Sequence, residues 1–269
     1  VEDRVESKRL ISILKDPKEL AYHENRAACY KIVANGSFGK FGSKYSKLYS
    51  PELMAKVTLT GQLALLMLIE RLNELGISVL SANTDGFVSL MDKSLYAIYD
   101  TACFDWMLST GFNLEETSYK GLYSRDVNNY FAVTQSGKIK GKGVYGKTGL
   151  GKNPNTRIVA EAVMAKILAD VPFMATLKDC KDFTKFLIVR TVNGGAQFNG
   201  ELLGRVVRWA YTTSGEVITY AKNGNKVPKS DGGEPFQNLP ESFPTNLDYA
   251  RYEAECQNLL TRMGEDFLC

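Results

Sequence analysis

Residues 77–90, ISVLSANTDGFVSL, contain two short apolar runs separated by a polar turn with one acidic residue, Asp85. The runs ISVL and FVSL have the length and β-branched content of strands, and an Asp-Gly pair favours the tight turns that join antiparallel strands. The segment therefore predicts a β-hairpin with the Asp85 carboxylate at its tip. Two interpretations of that carboxylate are open: it is a turn residue, or it is a fixed, solvent-open ligand for a hard cation such as Mg²⁺.

Helical patterns precede this hairpin. Residues 51–75 begin with a proline, are apolar throughout and stop at Gly76, so they predict a helix. Its apolar stripe is wide enough to predict burial on more than one side. Residues 5–35 predict helix broken near Asp16-Pro17, with a buried stripe that includes Ile32 and Val33, and the glycines of GSFGKFGSK should end or bend it.

The segments after the hairpin alternate between strand and helix patterns. Strands after a helix and a hairpin indicate an α+β sheet domain. The segment GRVVRWAYTTSGEVITYAKNG, residues 204–224, is interpreted as a helix end followed by a hairpin. The predicted helices are 93–110, 157–170, 179–192 and 247–263, and the predicted strands are 113–119, 129–134 and 138–142.

Composition limits the possible functions. The 269 residues are enough for one large domain or two to three small ones, and no apolar run reaches the length of a membrane span. The five cysteines form no CxxC pair and indicate reduced thiols in a cytoplasmic protein. His23 is the only histidine, which argues against His-dependent triads and His-rich metal sites. The net charge of +3 is mild, so nucleic-acid binding would depend on local charge. Val1 in place of Met indicates a processed product or a fragment.

A first candidate site is KIVANGSFG, residues 31–39. On a helix, Lys31, Asn35 and Phe38 lie at i, i+4 and i+7, so one face carries a cation, an amide and an aromatic ring. The structural interpretation is a surface lysine beside a helix C-cap made by Asn35 and Gly36. The functional interpretation is a nucleotide platform, in which the lysine contacts phosphate and the ring packs on a sugar or base.

A second candidate is the basic, glycine-rich run SGKIKGKGVYGKTGLGK, residues 136–152, which contains no acidic residue. On a strand its alternate lysines point to one face. The run is either a solvated edge strand or a row of cations along a phosphate backbone, with the glycines allowing close approach. Aromatic and basic residues upstream favour the second interpretation. The residues concerned are Lys138, Lys140, Lys142 and Lys147, with Tyr123, Arg125 and Tyr130 upstream.

A third candidate is the pair Arg205 and Arg208 in GRVVRWAY, which lie at i and i+3 on the predicted helix, beside Trp209 and Tyr211. The pair belongs either to a charged outer face or to a phosphate contact.

The order of these segments resembles the family B DNA polymerases. The stretch KIVANGSFG is similar to their fingers-helix motif K-x3-N-S-x-Y-G, and SANTDG, residues 81–86, is similar to their palm motif Y-G-D-T-D-S. The segment KGLYSRDVNNYFAVTQSGKIKGKG, from Lys120, resembles the stretch between palm and thumb that grips the primer end, and is most similar to viral members. The resemblance covers about residues 18–165. Two motifs in the right order and spacing are more specific than either alone.

The resemblance implies a role for each matching residue. Lys31 would contact the incoming triphosphate, and Asn35, Phe38 and Gly39 would line the nucleotide pocket. Asp85 would be the catalytic metal ligand of the hairpin, with the Thr84 backbone beside it, for two Mg²⁺ ions or Mn²⁺. The implied DNA contacts are Lys120, Tyr123, Arg125, Tyr130, Lys138, Lys140, Lys142, Lys147, Arg205 and Arg208.

The sequence also departs from the family pattern. Asn83 replaces the first Asp of the hairpin motif, Gly36 the usual Ser and Phe38 the usual Tyr. The family's other metal carboxylate belongs to a D-x2-S-L-Y-P-S motif N-terminal to the fingers, and the residues before Lys31 contain no such motif. We therefore expect a partner chain, or an N-terminal segment, that carries an exonuclease and the second carboxylate.

The implied fold is α+β: a right-hand palm, an antiparallel sheet with packed helices, flanked by fingers helices and a mainly helical thumb. The expected divisions are fingers at 1–50, palm at 51–150 and thumb at 151–269. The implied function is a DNA-templated DNA polymerase that extends a primer 3′-OH by two-metal phosphoryl transfer, with primer–template DNA and deoxynucleoside triphosphates as partners, no membrane, and the cytoplasm (of a host, if viral) as location. The alternative is a non-catalytic, polymerase-derived DNA-binding or assembly protein.

Overall fold

The computed structural model describes residues 2–146, 149–150 and 154–263. It is a mixed α+β structure with two compact units, Val1–Leu114 and Glu115–Cys269. The helices are α1 (Glu2–Ile13), α2 (Pro17–Phe41), α3 (Pro51–Glu74), α4 (Tyr96–Thr110), α5 (Arg157–Ala169), α6 (Phe173–Asp179) and α7 (Tyr249–Thr261). The strands are β1 (Ser78–Asn83), β2 (Gly86–Leu90), β3 (Tyr119–Asp126), β4 (Asn129–Thr134), β5 (Ile139–Lys142), β6 (Ile188–Phe198), β7 (Glu201–Glu216), β8 (Thr219–Tyr220) and β9 (Gly233–Pro235).

The first unit begins with the helix pair α1 and α2, and the predicted break between them is confirmed. The Asp16 carboxylate caps α2 by accepting hydrogen bonds from the backbone N–H groups of Lys18 and Glu19. The helix ends within GSFGKFGSK, as the sequence predicted: it continues past Gly36 and Gly39, and Gly42 is its C-cap residue. The helix continues to Phe41, because isolated glycines cost a helix only about 1 kcal/mol each.

The predicted buried stripe on α2 is wrong. Ile32 and Val33 are 72% and 64% exposed, and α2 has no buried residue within its 25 positions. Apolar spacing identified the helix correctly, but the first unit provides no layer that covers this side.

The core of the first unit lies between α3 and α4. The indole N–H of Trp106 donates a 2.7 Å hydrogen bond to the carbonyl of Ala64 and ties the two helices together. The predicted helices 51–75 and 93–110 are both confirmed, the second with a 3₁₀ turn at its start. The buried cluster consists of Ala64, Leu68, Leu72, Ile77, Ala102, Cys103 and Trp106.

Helix α3 buries only one of its apolar sides. By length and composition alone it could cross a membrane, so the expectation that no apolar run reaches that length is wrong; core helices of water-soluble proteins also pass this test. Four of its residues are buried, and six large apolar ones remain between 42% and 59% exposed. The exposed set is Leu53, Val57, Leu59, Leu63, Leu66 and Met67.

The predicted hairpin is confirmed as β1 and β2, an antiparallel pair that ends at Asn83 and Gly86. Val79 and Phe87 pack onto the core between α3 and α4. Among the described residues, neither strand pairs with any third strand. The hairpin is therefore held in place by its contacts with the helices and by its own ladder.

The second unit contains two antiparallel sheets, ordered β3-β4-β5 and β8-β6-β7-β9. The predicted strands 129–134 and 138–142 are confirmed to within one residue. The predicted strand 113–119 is wrong, because the ladder with β4 begins only at the pair Tyr119–Thr134.

The sequence predicted a mainly helical thumb over residues 151–269. That prediction is wrong for the described part of this range, residues 154–263. Helices α5, α6 and α7 pack around the four-stranded sheet, and the predicted helix 179–192 is instead a 3₁₀ turn, Phe183–Phe186, followed by β6. The short apolar run FLIVRTV is compatible with a buried helix or a buried strand, and periodicity does not separate them. Trp209, Tyr211 and Tyr252 are fully buried here, and the Tyr252 hydroxyl accepts from the Tyr211 N–H at 2.9 Å.

Candidate nucleotide and nucleic-acid sites

Helix α2 presents the first candidate site on a solvent-exposed side. Lys31 and Asn35 are exposed, and Phe38 is partly exposed with its ring edge-on to Phe41 at 6.4 Å. Because α2 is regular through this stretch, the spacing i, i+4, i+7 does place Lys31, Asn35 and Phe38 on one side of the helix. The side chains can therefore meet a ligand that lies along the helix.

Two glycines, Gly36 and Gly39, leave the backbone of α2 bare in this stretch. The proposed C-cap at Asn35 and Gly36 does not exist, since α2 continues to Phe41. A Cβ atom built on Gly36 or Gly39 would meet no atom within 4 Å. Packing inside the chain therefore does not require glycine at either position, and a flat group could approach the backbone closely there.

The tip of the β1–β2 hairpin presents the Asp85 carboxylate to solvent. Thr84 and Asp85 form the two-residue loop, and Thr84 has a φ of +59°, in the left-handed region that β-branched residues rarely adopt. The Thr84 hydroxyl donates to the Asn83 side-chain oxygen at 2.9 Å, and the Asp85 N–H donates to the Asn83 carbonyl at 2.8 Å. Asn83 thus supports the strained turn that positions Asp85.

Asp85 alone does not make a metal centre. Two-ion phosphoryl-transfer sites need at least two bracketing carboxylates. In the part of the chain that the structure describes, no three His, Cys, Asp or Glu side chains lie close enough to hold an ion. The donor set for two Mg²⁺ ions is therefore incomplete in these residues.

In the second unit, one face of the β3-β4-β5 sheet carries lysines and tyrosines. Tyr130 pairs with Lys142 across β4 and β5, and Ala132 pairs with Lys140, so both lysines share a face. The Lys142 ammonium lies 5.9 Å from the centre of the Tyr130 ring, and that of Lys140 lies 5.9 Å from the Tyr119 ring. We call Tyr119, Tyr130, Lys140 and Lys142 the basic face.

Tyr119 was missed by the sequence analysis. It belongs to the basic face through its strand register, which depends on a bulge between Tyr119 and Gly121. Residue alternation gives no signal for such a bulge, so only the pairing itself could have identified this ring.

Tyr123 and Arg125 do not belong to the basic face. The Tyr123 ring stacks on buried Phe131 at 4.7 Å, on the opposite side of the sheet. The Arg125 guanidinium is only 23% exposed and pairs with Asp126 at 2.9 Å. Both side chains are thus engaged within the chain at the β3–β4 end of the sheet.

The β3–β4 turn is held by the carboxylate of Asp126. The amide of Asn129 donates to it at 2.8 Å, and the backbone N–H of Asn128 donates at 3.0 Å. These hydrogen bonds, the Asn129 amide first, lower the Asp126 pKa to about 2. The Asn129 oxygen in turn accepts from the Val144 N–H at 3.0 Å, which fixes the turn after β5.

Two glycines of the basic run are explained by packing. A Cβ on Gly141 would lie 2.0 Å from the carbonyl oxygen of Tyr145, and one on Gly143 would lie 2.2 Å from that of Asn128. The backbone of the chain itself therefore occupies the space beside these two glycines, and no ligand is needed to explain them. Lys120 and Lys138 are exposed beside the basic face, and Lys147 lies outside the described residues.

Arg205 and Arg208 lie on strand β7, so their predicted helical spacing is wrong. Residues three apart on a strand point to opposite faces. Arg205 is exposed, whereas the Arg208 guanidinium donates to the Gln237 carbonyl at 3.1 Å. The neighbouring Trp209 is fully buried.

Comparison with known proteins places these sites in a family context. The model of DNA polymerase family B matches residues 1–120, which include the α2 motif and the Asp85 hairpin but not the basic run. The chain spans only 6–20% of the length of the relatives below.

Three relatives illustrate the range of sequence identity and coverage. DNA polymerase 1 of Saccharolobus solfataricus is 32% identical over 120 residues, 42% of this chain and 13% of that protein. The DNA polymerase alpha catalytic subunit of Trypanosoma brucei brucei is 37% identical over 87 residues, 32% of this chain and 6% of that protein. DNA polymerase 1 of Pyrococcus abyssi is 26% identical over 151 residues, 54% of this chain and 20% of that protein. Residues 1–120 are therefore similar to part of the family B DNA polymerases, and this similarity covers part of the chain.

Proposed function

We propose that this chain is a subunit or part of a DNA-templated DNA polymerase that extends a primer 3′-OH with deoxynucleoside triphosphates. The observation that carries the proposal is the strained hairpin tip, where Thr84 at φ +59° presents an exposed Asp85 within the family-matched region. Strain of this kind is retained where a side chain must be held in one position, and it clusters at functional sites.

The α2 side supplies the nucleotide-binding part of the proposal. Lys31 offers a compact positive charge for the triphosphate, and Asn35 offers an amide for hydrogen bonds. Bare backbone at Gly39 lets the base or sugar lie against the helix, with the Phe38 ring beside it. Positioning and charge neutralisation are the main protein contributions to phosphoryl transfer, and these groups supply both.

The metal part requires a second polypeptide segment. Asp85 would be one carboxylate of a Mg²⁺ site, and the other would come from a partner chain or a preceding segment that carries the D-x2-S-L-Y-P-S motif. The open strand edges of the β1–β2 hairpin leave room beside Asp85 for such a segment.

The basic face supplies the DNA-binding part. Lys140 and Lys142 are held over tyrosine rings on an exposed sheet face, which suits contact with phosphates along one strand. In this proposal residues 1–50 belong to the fingers, 51–150 to the palm and 151–269 to the thumb, and the protein acts in the cytoplasm. Tyr123 and Arg125 would act by supporting the basic face rather than by direct contact, whereas the Arg208 guanidinium is held by the Gln237 carbonyl beside β7.

The test is primer extension on a short primer–template with Mg²⁺ and four deoxynucleoside triphosphates, using this chain together with the preceding segment or the partner chain that carries D-x2-S-L-Y-P-S. Asp85→Asn should reduce extension by a factor of about 10³ or more, because the substitution removes a metal-binding charge. The matched control Asp105→Asn changes an exposed carboxylate on α4 and should leave the rate unchanged.

A second candidate function is a non-catalytic DNA-binding or assembly protein. It is favoured by Asn83 at the first acidic position of the hairpin motif and by the incomplete donor set among the described residues. Under this alternative the mixed chains bind duplex DNA but extend no primer, and Asp85→Asn changes nothing that can be measured.

A further inference from the structure

The two-residue loop of the β1–β2 hairpin departs from the usual residue preferences of such turns. Asn83 pairs with Gly86 at the end of the ladder, and the loop between them is Thr84-Asp85. Among these four residues only Thr84 has a positive φ, at +59°. In two-residue hairpin loops that position normally holds glycine, because a branched side chain makes a positive φ unfavourable.

The glycine of this turn lies where neither the backbone nor packing requires one. Gly86 begins β2 without a positive φ, and a Cβ atom built on it would meet no atom within 4 Å. Thr84 therefore stands where glycine is favoured, and Gly86 stands where a larger residue would fit. Such departures from local turn chemistry occur at functional sites, where a particular side chain is retained although its conformation is unfavourable.

The hydroxyl of Thr84 is a group that glycine lacks, and it has a partner. It donates to the side-chain oxygen of Asn83 at 2.9 Å. The Asp85 N–H donates to the main-chain carbonyl of the same Asn83 at 2.8 Å. Asn83 thus accepts a hydrogen bond from each of the two loop residues. We call this pair of hydrogen bonds the Asn83 latch.

The latch needs an acceptor at position 83 but no charge. An amide and a carboxylate each present a side-chain oxygen that accepts from a hydroxyl. Asn83 stands where the family motif has its first Asp, and it keeps this hydrogen bond although the charge is absent. The substitution by itself is therefore no sign that the hairpin has lost its role.

We propose that Thr84 and Asn83 are positioning residues that hold the Asp85 carboxylate in one orientation at the hairpin tip. The inference rests on the proposed function, in which Asp85 is one ligand of a Mg²⁺ site. A ligand that is already fixed loses little freedom when the ion binds, so the latch lowers the Mg²⁺ concentration that the reaction needs. On this inference Asn83 no longer favours the non-catalytic alternative.

The first test uses the chain by itself and requires no metal. Amide hydrogen exchange at Asp85, corrected for the intrinsic rate, reports the latch because this N–H donates to Asn83. Thr84→Val keeps the branched side chain but removes the hydroxyl, and we expect exchange about tenfold faster. Thr84→Ser and Asn83→Asp retain the donor and the acceptor, and their exchange should stay within about threefold of the unchanged chain. The matched control Thr101→Val removes a hydroxyl that donates within α4, to the Ala97 carbonyl, and should leave exchange at Asp85 unchanged.

Thr84→Gly separates the positioning of Asp85 from the stability of the turn. Glycine adopts a positive φ readily, so this variant should keep or raise the melting temperature of the chain. It lacks the hydroxyl, so exchange at Asp85 should still be faster than in the unchanged chain. Exchange in Thr84→Val or Thr84→Gly that is as slow as in the unchanged chain overturns the inference.

The second test is a Mg²⁺ titration of primer extension by this chain, together with the preceding segment or the partner chain that carries D-x2-S-L-Y-P-S. Thr84→Val and Asn83→Leu should raise the Mg²⁺ concentration for half-maximal rate about tenfold, with little change in the KM for the deoxynucleoside triphosphate. Thr84→Ser should restore most of this loss. A variant that is merely partly unfolded would lose rate without shifting the Mg²⁺ midpoint. An unshifted midpoint in Thr84→Val overturns the inference, and so does a rate gain of about a hundredfold in Asn83→Asp, which would identify position 83 as a lost catalytic carboxylate.

The positioning inference and the proposed function can fail separately. If no variant extends a primer, the polymerase function is removed, and exchange at Asp85 in the chain alone still tests the latch. Extension that requires Asp85 but has the same Mg²⁺ midpoint in Thr84→Val retains the polymerase function and removes the positioning role.

Discussion

The two units of this chain differ in how completely each buries its own apolar side chains. Residues 115–269 enclose one cluster of 25 buried residues, whereas residues 1–114 enclose a cluster of seven. Yet the first unit contains most of the family match and both candidate residues for chemistry, Lys31 and Asp85. The unit that carries most of the similarity to known polymerases thus has the smaller buried apolar cluster.

The difference lies in how much of each element the first unit covers with its own residues. Its α2 helix has no buried residue, α3 covers one of two apolar sides, and its hairpin has two strands only. Isolated two-strand hairpins are marginal in water, so β1 and β2 depend on the layer beneath them. In the second unit, by contrast, the buried Tyr252 hydroxyl accepts from the Tyr211 N–H and donates to the Phe186 carbonyl.

The largest effect on stability should come from the core of the second unit. Trp209→Ala removes a fully buried indole whose N–H donates to the Lys229 carbonyl at 3.1 Å. We expect a loss of about 3–5 kcal/mol in the free energy of unfolding, measured by urea denaturation. The control Leu59→Ala, at a 54% exposed leucine of α3, should change the free energy of unfolding by less than about 0.5 kcal/mol. A similar loss at Leu59 would show that the first unit already covers α3.

The next largest effect concerns DNA binding by the second unit. Lys140→Gln/Lys142→Gln should weaken duplex binding roughly 10- to 100-fold at 0.1 M salt and reduce the salt-dependence slope by about 2, since each lysine releases about one counterion. Fluorescence anisotropy over a salt series measures both. The control Lys178→Gln/Lys222→Gln removes the same charge from exposed positions outside the basic face. An equal loss of DNA affinity in the two double variants would mean that binding depends on the net charge of the protein and not on the basic face.

Sequence patterns predicted the elements of the first unit well because their signals are local. Pro51 and Gly76 delimit α3, and the Asp-Gly turn delimits the hairpin. What the patterns could not predict is which apolar sides find a partner, because Ile32 and Val33 have helical spacing whether or not a layer covers them. The spacing of apolar residues depends on the helix alone, whereas their burial depends on which other elements pack against it.

In the second unit the patterns failed where strand register decides the outcome. Arg205 and Arg208 were placed on one side of a helix, but β7 separates them to opposite faces. Tyr119 joined the basic face through a bulge that no periodicity shows. The glycines at 141 and 143 were interpreted as openings for phosphate, whereas Tyr145 and Asn128 fill that space.

A smaller effect should distinguish the stability of α2 from its binding of a nucleotide. Gly39→Ala should stabilise the helix by about 1 kcal/mol, since no atom opposes the added methyl group. The same methyl group covers the bare backbone and should weaken binding of a fluorescent deoxynucleoside triphosphate. Gly61→Ala on α3 is the matched control: it also has open space and should stabilise without affecting the nucleotide. If nucleotide affinity is the same in both variants, the α2 side is not the binding platform.

The smallest expected effect is a local pH dependence at the β3–β4 turn, which tests whether the second unit supports its basic face. The Asp126 pKa, lowered from 3.8 to about 2 by hydrogen bonds from Asn129 and Asn128, lies below its unfolded value. The stabilisation is therefore present above pH 4 and is lost as pH falls from about 4 to 2. Amide exchange at Val144, whose N–H donates to Asn129, should accelerate through this window. In Asp126→Asn, which does not titrate, the exchange at Val144 should be faster at neutral pH and show no such step. A step that persists in Asp126→Asn would assign the pH dependence to another carboxylate and leave the turn without its proposed support.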